Sequence, residues 1–375
     1  MKKIALSIVA MATVSMAGGD IAPVEPVVES AAEKSIFDRV DFKGDLRLRY
    51  ESIERDDATN TYRNRYRLRI GSTIDLVDNL KFEVGMRSGF ANPTSGNQTF
   101  LDDQPWSDYF LQSLRFNILG LSYTSDNSTV KVGRQPYMMY RPIKSQLVWD
   151  NDVSLNGVNY QYADDTKIIT LGANQPTMEE ASKAEDTVNL FVAQYVQKST
   201  LGDAKLNLGT GLYYYDGLKG NTELFGSDKG NTTVSDRYTN DYHIVEGFAE
   251  LKFKNVLGKP FAIAAGVAYN VAADDNNFGY DLAFQLGKAK NIGDWQVKYS
   301  YTDIQEDAVL GAHSDSDNFG GGTAAKGHAI RTKYKFGKNT YLAGTFFFNT
   351  LYGSKVSDPA DADYERVQLD AIIKF

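Results

Sequence analysis

Arg63, Arg65, Arg67 and Arg69 take every second position of the stretch RNRYRLRI, with Asn64, Tyr66, Leu68 and Ile70 between them. A repeat of two is the period of an extended strand, whose successive side chains point to opposite faces. Residues 41–51 show the same division, with Phe42, Leu46, Leu48 and Tyr50 on one face and Lys43, Asp45, Arg47, Arg49 and Glu51 on the other. On a third segment Lys81, Glu83 and Arg87 alternate with Leu80, Phe82, Val84 and Met86. Such a guanidinium-rich wall has two chemical uses. It sets a field across a water-filled constriction, orienting dipolar solutes and favouring anions, or it hydrogen-bonds to neighbouring carboxylates and braces the sheet.

Catalytic chemistry finds little support. His243, His313 and His328 are scattered, and neither a nucleophile elbow nor a paired-histidine metal motif accompanies them. The stretch DSDNFG from Asp315 has a calcium loop's glycine at its sixth position, Gly320, but Phe319 stands fifth and Lys326 twelfth, where a bidentate glutamate is needed. It is expected to be a solvated loop. No enzymatic activity, metal site or cofactor is expected.

The segments that carry the arginines belong to an exported chain. Met1, Lys2 and Lys3 precede an apolar run from Ile4 to Ala17, which is shorter than a membrane-spanning helix requires and reads as a signal peptide over 1–17. Cleavage after Ala17 removes two lysines and no acid, leaving 38 basic against 48 acidic residues in place of 40 against 48. An acidic chain is a poor general nucleic-acid binder. There are no cysteines, so disulfides and thiolate metal sites are excluded. No later stretch approaches a spanning helix, which excludes a helical inner-membrane transporter.

Residues 18–40, with Pro23 and Pro26, read as a periplasmic linker. From residue 41 to residue 375 the chain is a succession of alternating segments of about ten residues, the signature of outer-membrane barrels. The pattern predicts an all-β, transmembrane, antiparallel up-and-down barrel of about sixteen strands, with short and long connections in alternation. The connection 271–276 is an exception, short where the alternation calls for a long one. Phe278, Tyr280, Leu282, Phe284 and Leu286 are predicted to meet lipid, opposite Asp281, Ala283 and Gln285. A lipid-facing arginine at mid-bilayer costs about 2–4 kcal/mol, so Arg47, Arg49, Arg65, Arg67 and Arg69, with Lys81 and Arg87, are assigned to the lumen.

The chain ends in VQLDAIIKF, an alternating strand with a terminal aromatic, which resembles the signal by which outer-membrane proteins are recognised for insertion. GDLRLRYE, RNRYRLRI, ANPTSGNQTF and VWDNDVSLNGV together resemble the family of putative porins of Gram-negative outer membranes, most clearly from Gly44 to about Tyr162. The resemblance implies a single barrel in the outer membrane that passes small hydrophilic solutes or ions, commonly as a homotrimer. It also implies a third long loop folded into the barrel. On that basis Arg134, Arg141, Asp150 and Asp152 are the constriction candidates, the two aspartates facing the arginines. Two alternatives stand beside the diffusion channel: a substrate-specific outer-membrane channel, and a structural or adhesive surface protein anchored by its barrel.

Overall fold

Alternation of apolar and polar residues builds sixteen long strands, and each hydrogen-bonds to its sequence neighbour in antiparallel register. In this computed structural model, residues 39–89, 92–100, 113–176, 187–356 and 360–375 are described. We number the strands β1 (Val40–Arg55), β2 (Thr61–Val77), β3 (Leu80–Arg87), β4 (Arg115–Ser125), β5 (Ser128–Pro136), β6 (Ser154–Ala163), β7 (Lys167–Gln175) and β8 (Asn189–Leu201). The second half comprises β9 (Ala204–Asp216), β10 (Tyr242–Val256), β11 (Lys259–Asn270), β12 (Phe278–Gly287), β13 (Trp295–Ile304), β14 (Ala325–Lys335), β15 (Thr340–Leu351) and β16 (Ala362–Lys374). The signal peptide and all but the last two residues of the linker lie outside the described residues.

The barrel closes because β1 pairs with β16, from Asp45 opposite Lys374 to Arg55 opposite Tyr364. Below that register Gly44 and Phe375 exchange backbone hydrogen bonds of 2.7 and 3.0 Å. The terminal ring crowds this corner so closely that a Cβ at Gly44 would lie 2.5 Å from it. Closure leaves no strand edge with unpaired backbone groups, the condition for crossing a bilayer with strands. Turns such as 78–79, 202–203 and 257–258 are tight and lie at one end; the loops 217–241 and 305–324 lie at the other. The connection 271–277 is compact although it lies at the loop end.

Burial is inverted relative to a water-soluble sheet. Leu48, Leu282, Leu342 and Leu369 are between 42 and 49 % exposed, whereas their inward neighbours Arg49, Asp281 and Asp370 are 4, 7 and 8 % exposed. An apolar exterior around a polar interior is the arrangement that lipid selects.

The lumen departs from a simple water-filled tube. At the loop end Trp149, Leu147 and Val153 pack with Tyr213, Tyr242, Leu310 and Phe319 in a continuous apolar cluster inside the barrel. Apolar residues scattered through otherwise polar loops fold inward, where they leave water. The DSDNFG loop takes part in this cluster. Asp315, Asn318 and Phe319 are 7, 4 and 2 % exposed, so this segment is buried within the barrel rather than solvated.

Candidate functional site

The arginines come from neighbouring strands whose register sets them face to face. Arg47 lies opposite Arg67 and Arg49 opposite Arg65 between β1 and β2, and Arg69 lies opposite Arg87 between β2 and β3. Like charges directly opposite are destabilising unless other groups intervene, and acids from several elements do so here. Glu51, fully buried, accepts from Arg63 at 2.6 Å and lies 3.4 Å from Arg65, with Arg366 of β16 completing a third charge-assisted pair. Asp370 receives Arg49 through both oxygens at 2.6 and 2.9 Å. Asp45 pairs with Arg67 at 2.6 Å. Glu51 stands on the charged face that the sequence predicts for the first strand, whereas Arg366, Asp370 and Asp317 are anchoring groups that the sequence does not single out.

Three connections fold against this wall. Asn97, in the segment after β3, accepts a bond from Arg47 through its side chain and one of 3.0 Å from Arg65 through its carbonyl, while the Asn92 and Pro93 carbonyls accept from Arg87. In the loop 137–153, Asp152 pairs with Arg69 and lies 3.9 Å from Arg67. Burial pushes its carboxyl up, but Arg69, Arg67 and Arg87 outweigh burial and hold it below the usual range. In the loop 305–324, Asp317 lies 3.3 Å from Arg49 and 2.9 Å from Arg366. Burial opposes its charge too, and Arg366, Arg49 and Arg47 hold it well below the ordinary value.

Asp150 has another setting. Its Oδ2 accepts from the Ser316 amide at 3.0 Å and its Oδ1 from the Asp152 amide at 2.7 Å, while its own amide donates to the His313 carbonyl at 2.7 Å. Burial, then the charges of Asp152 and Asp315, push its carboxyl well above the usual range. Asp150 thus fastens one inward loop to another. Arg141 also braces the loop from within, donating to the Ser145 and Trp149 carbonyls at 2.9 and 2.8 Å and to Asn151 at 2.6 Å. Arg134 belongs to β5 rather than to the loop and is half-buried beside Gly133, whose φ is 97°. Lys81 lies near the turns, paired with Asp75 at 3.3 Å with both side chains at least half exposed, apart from the arginine network.

The loop 137–153 crosses the lumen. Leaving β5, it reaches β10 and β13 on the far wall, where the Ile143 amide donates to Glu250 at 2.9 Å and its carbonyl accepts from Lys298 at 2.9 Å. Ile143 has φ 44° and Lys144 φ 55°, both left-handed. That conformation is unfavourable for a β-branched side chain, and two charged groups on either side of one peptide unit hold it. Two open chambers lie in the lumen, one at the loop end between the strands β1, β2 and β16 and the segments 92–95 and 311–322, the other at the turn end beside the tip of the crossing loop. The chamber at the turn end is the larger of the two. Arg55, Arg63, Arg65, Lys229 and Arg366 line the first against Asp317 alone. Arg141, Lys144, Lys252, Lys288, Lys290 and Lys333 line the second against Glu250 alone.

A closed strand wall, an apolar belt and a loop drawn across the lumen are the parts of a membrane pore. The model of the family described as Putative porin matches residues 53–255 and 240–375. The chain belongs to this family. It is therefore an outer-membrane channel protein built as a closed sixteen-stranded barrel. No curated protein matches the porin's sequence. Among solved structures, it resembles OprB of Pseudomonas putida in a high-pH form, with TM-score 0.59 and 12 % identity over 91 % of this chain and 95 % of that one. Salmonella typhi OmpF in complex with daunomycin gives TM-score 0.53 and 12 % identity over 90 % and 97 %. A mutant porin of Rh. blastica gives TM-score 0.50 and 12 % identity over 90 % and 100 %. At these identities the likeness is one of fold.

Proposed function

We propose that this porin is a passive channel that prefers small hydrophilic anions, with the loop 137–153 as its constriction and the arginine wall of β1, β2, β3 and β16 as its main electrostatic element. The observation that carries this reading is the sign of the lining. Cations outnumber carboxylates in both chambers, the one beside the crossing loop and the one at the loop end, although the chain as a whole has a net charge of −8. Selectivity in a pore follows the local field at the narrow part, not the total charge.

The wall serves both uses that the sequence leaves open. Most guanidiniums are held by carboxylates and carbonyls and so brace the seam between first and last strands. Those of Arg63 and Arg69, whose side chains keep about 30 % of their surface accessible, still present charge to the water path. Three inward loops make the passage narrow and favour a selective channel over a wide general pore. Export with cleavage after Ala17 completes the reading, and N-terminal sequencing of the mature protein checks that part. Single-channel recording of purified, folded protein in a planar bilayer tests the channel itself: discrete open steps support it, and a silent bilayer returns the barrel to the role of an anchor for surface loops.

A further inference from the structure

We infer that the loop-end chamber is a binding site for a small oxyanion, a carboxylate or phosphate, which the channel holds before passing it. This rests on the anion-channel reading and adds a specific occupant and place to it. The first observation is a charge imbalance. The network on β1, β2, β3 and β16 brings together eight guanidiniums, of Arg47, Arg49, Arg63, Arg65, Arg67, Arg69, Arg87 and Arg366. Among the described residues it contains five carboxylates, of Asp45, Glu51, Asp152, Asp317 and Asp370. Arg49, Arg87 and Arg366 are 4 to 5 % exposed, so the excess is not dispersed in bulk water. An uncompensated charge away from water is costly, and a counter-anion removes that cost.

The second observation is unused donor capacity. Among the described residues the Nε atoms of Arg47, Arg65 and Arg67 are buried without a hydrogen-bond partner, and of these Arg65 lines the loop-end chamber. In most native structures such groups are satisfied. The third is the chamber where this surplus meets open space. Arg63, Arg65 and Arg366 line it on the strand side, and Lys229, Ser314 and Ser316 on the loop side. The nearest acids are already engaged, Asp317 by Arg366 at 2.9 Å and Asp57 by Arg55 at 2.8 Å. Arg63 donates its Nε to Glu51 at 2.6 Å, while its side chain keeps 31 % of its surface accessible at the chamber wall. Planar forks of donors suit ligands with two or more oxygens on one centre better than a spherical halide.

The test uses the full-length folded protein in bilayers of neutral phosphatidylcholine, carrying chloride current, with inorganic phosphate added on the loop side. The expected result is a saturable fall in chloride conductance, with the half-blocking concentration raised roughly tenfold or more by Arg63→Gln, as loss of a charge-assisted hydrogen bond implies. Arg65→Lys, which keeps the charge and removes the fork, is expected to weaken block as well. An anion-selective channel that phosphate does not block saturably overturns the site and leaves the channel reading intact; cation selectivity overturns both. Block unchanged in Arg63→Gln places the site elsewhere and also overturns the inference. Block that appears only when anionic lipid is added to the loop-side leaflet assigns the chamber to a headgroup, against the soluble oxyanion proposed.

Discussion

Arg49 and Asp370 face each other across the seam where the first strand meets the last, the guanidinium Nε and Nη2 donating to the two carboxylate oxygens at 2.6 and 2.9 Å. The two residues are 321 positions apart in the chain, so this pair joins the ends of the sequence on the lumen face, while Leu48 and Leu369 meet lipid on the other.

Breaking that pair from one side is expected to be costly. Asp370→Ala leaves the Arg49 guanidinium, 3 % exposed, with only the longer contacts to Asp317 at 3.3 Å and Glu51 at 3.9 Å, and removal of one partner of a buried pair typically costs about 3–5 kcal/mol. The folded fraction against urea, read from the heat-modifiable gel shift, should move to clearly lower denaturant. A midpoint equal to that of the wild type would mean the seam is held by backbone pairing alone.

The two aspartates of the crossing loop are expected to separate in their effect on ion selectivity. Asp152 pairs with Arg69 and faces Arg67, whereas Asp150 accepts backbone donors and burial favours its neutral form. Asp152→Asn therefore frees positive charge at the constriction and raises the anion-to-cation permeability ratio, while Asp150→Asn changes it little. Equal effects of the two substitutions would contradict the geometry.

The loop tip is expected to depend on Glu250. Its carboxylate accepts from the Ile143 amide at 2.9 Å and from Asn207 at 2.9 Å, and it pairs with Tyr140. Glu250→Ala leaves the Ile143 amide unpaired, at about 1–3 kcal/mol for a buried group, and so releases a left-handed Ile143 from one of its two clamps, while Asn207 keeps its bond of 2.7 Å to the Tyr140 hydroxyl. Single-channel records should show larger, noisier open steps than the wild type; unchanged steps would mean that Lys298 and packing suffice.

Acid is expected to act on the docked loops through two opposing groups. The His313 ring is 1 % exposed, bonded to the Tyr215 hydroxyl at 2.9 Å, stacked on Trp149 and near Phe225. Burial, then Arg134, lowers its pKa from 6.5 to about 3. The unfolded chain takes up a proton below about 6.5 and the folded one does not, so His313 removes stability as the pH falls through that window, by at most about 1.4 kcal/mol per pH unit. Asp150 has the opposite sign: its raised pKa makes the folded state bind a proton more readily, which adds stability on acidification. The urea midpoint of Asp150→Asn should therefore fall more steeply on acidification than that of the wild type, and His313→Gln should flatten the profile below about pH 6.5. Parallel profiles in all three proteins would exclude this account.

What the sequence makes legible follows from periodicity. A repeat of two separates Leu48 from Arg49 and Leu282 from Asp281, so strand number and lipid face can be read without coordinates. What joins distant segments cannot be read that way. Glu51 meets Arg366, and Asp317 meets Arg49, only because closure brings β1 beside β16 and a late loop turns inward. A signal was present in the apolar residues of that loop, Val309, Leu310, Ala312 and Phe319, which a solvated loop would not need. Arg134 shows the limit in the other direction, since a position two residues before a strand's end is easily assigned to the loop that follows it. Arg141, selected for charge, serves the loop's own backbone and Asp150 ties that loop to the loop 305–324, because a carboxylate or guanidinium near several amides or carbonyls is satisfied there before it reaches the arginine wall.

The central claim is that the local basic lining, not the acidic total, sets what passes. The most direct measurement is the reversal potential of the purified channel in a planar bilayer under a potassium chloride gradient. The account predicts a reversal displaced toward the chloride equilibrium potential, and a displacement toward that of potassium would contradict it.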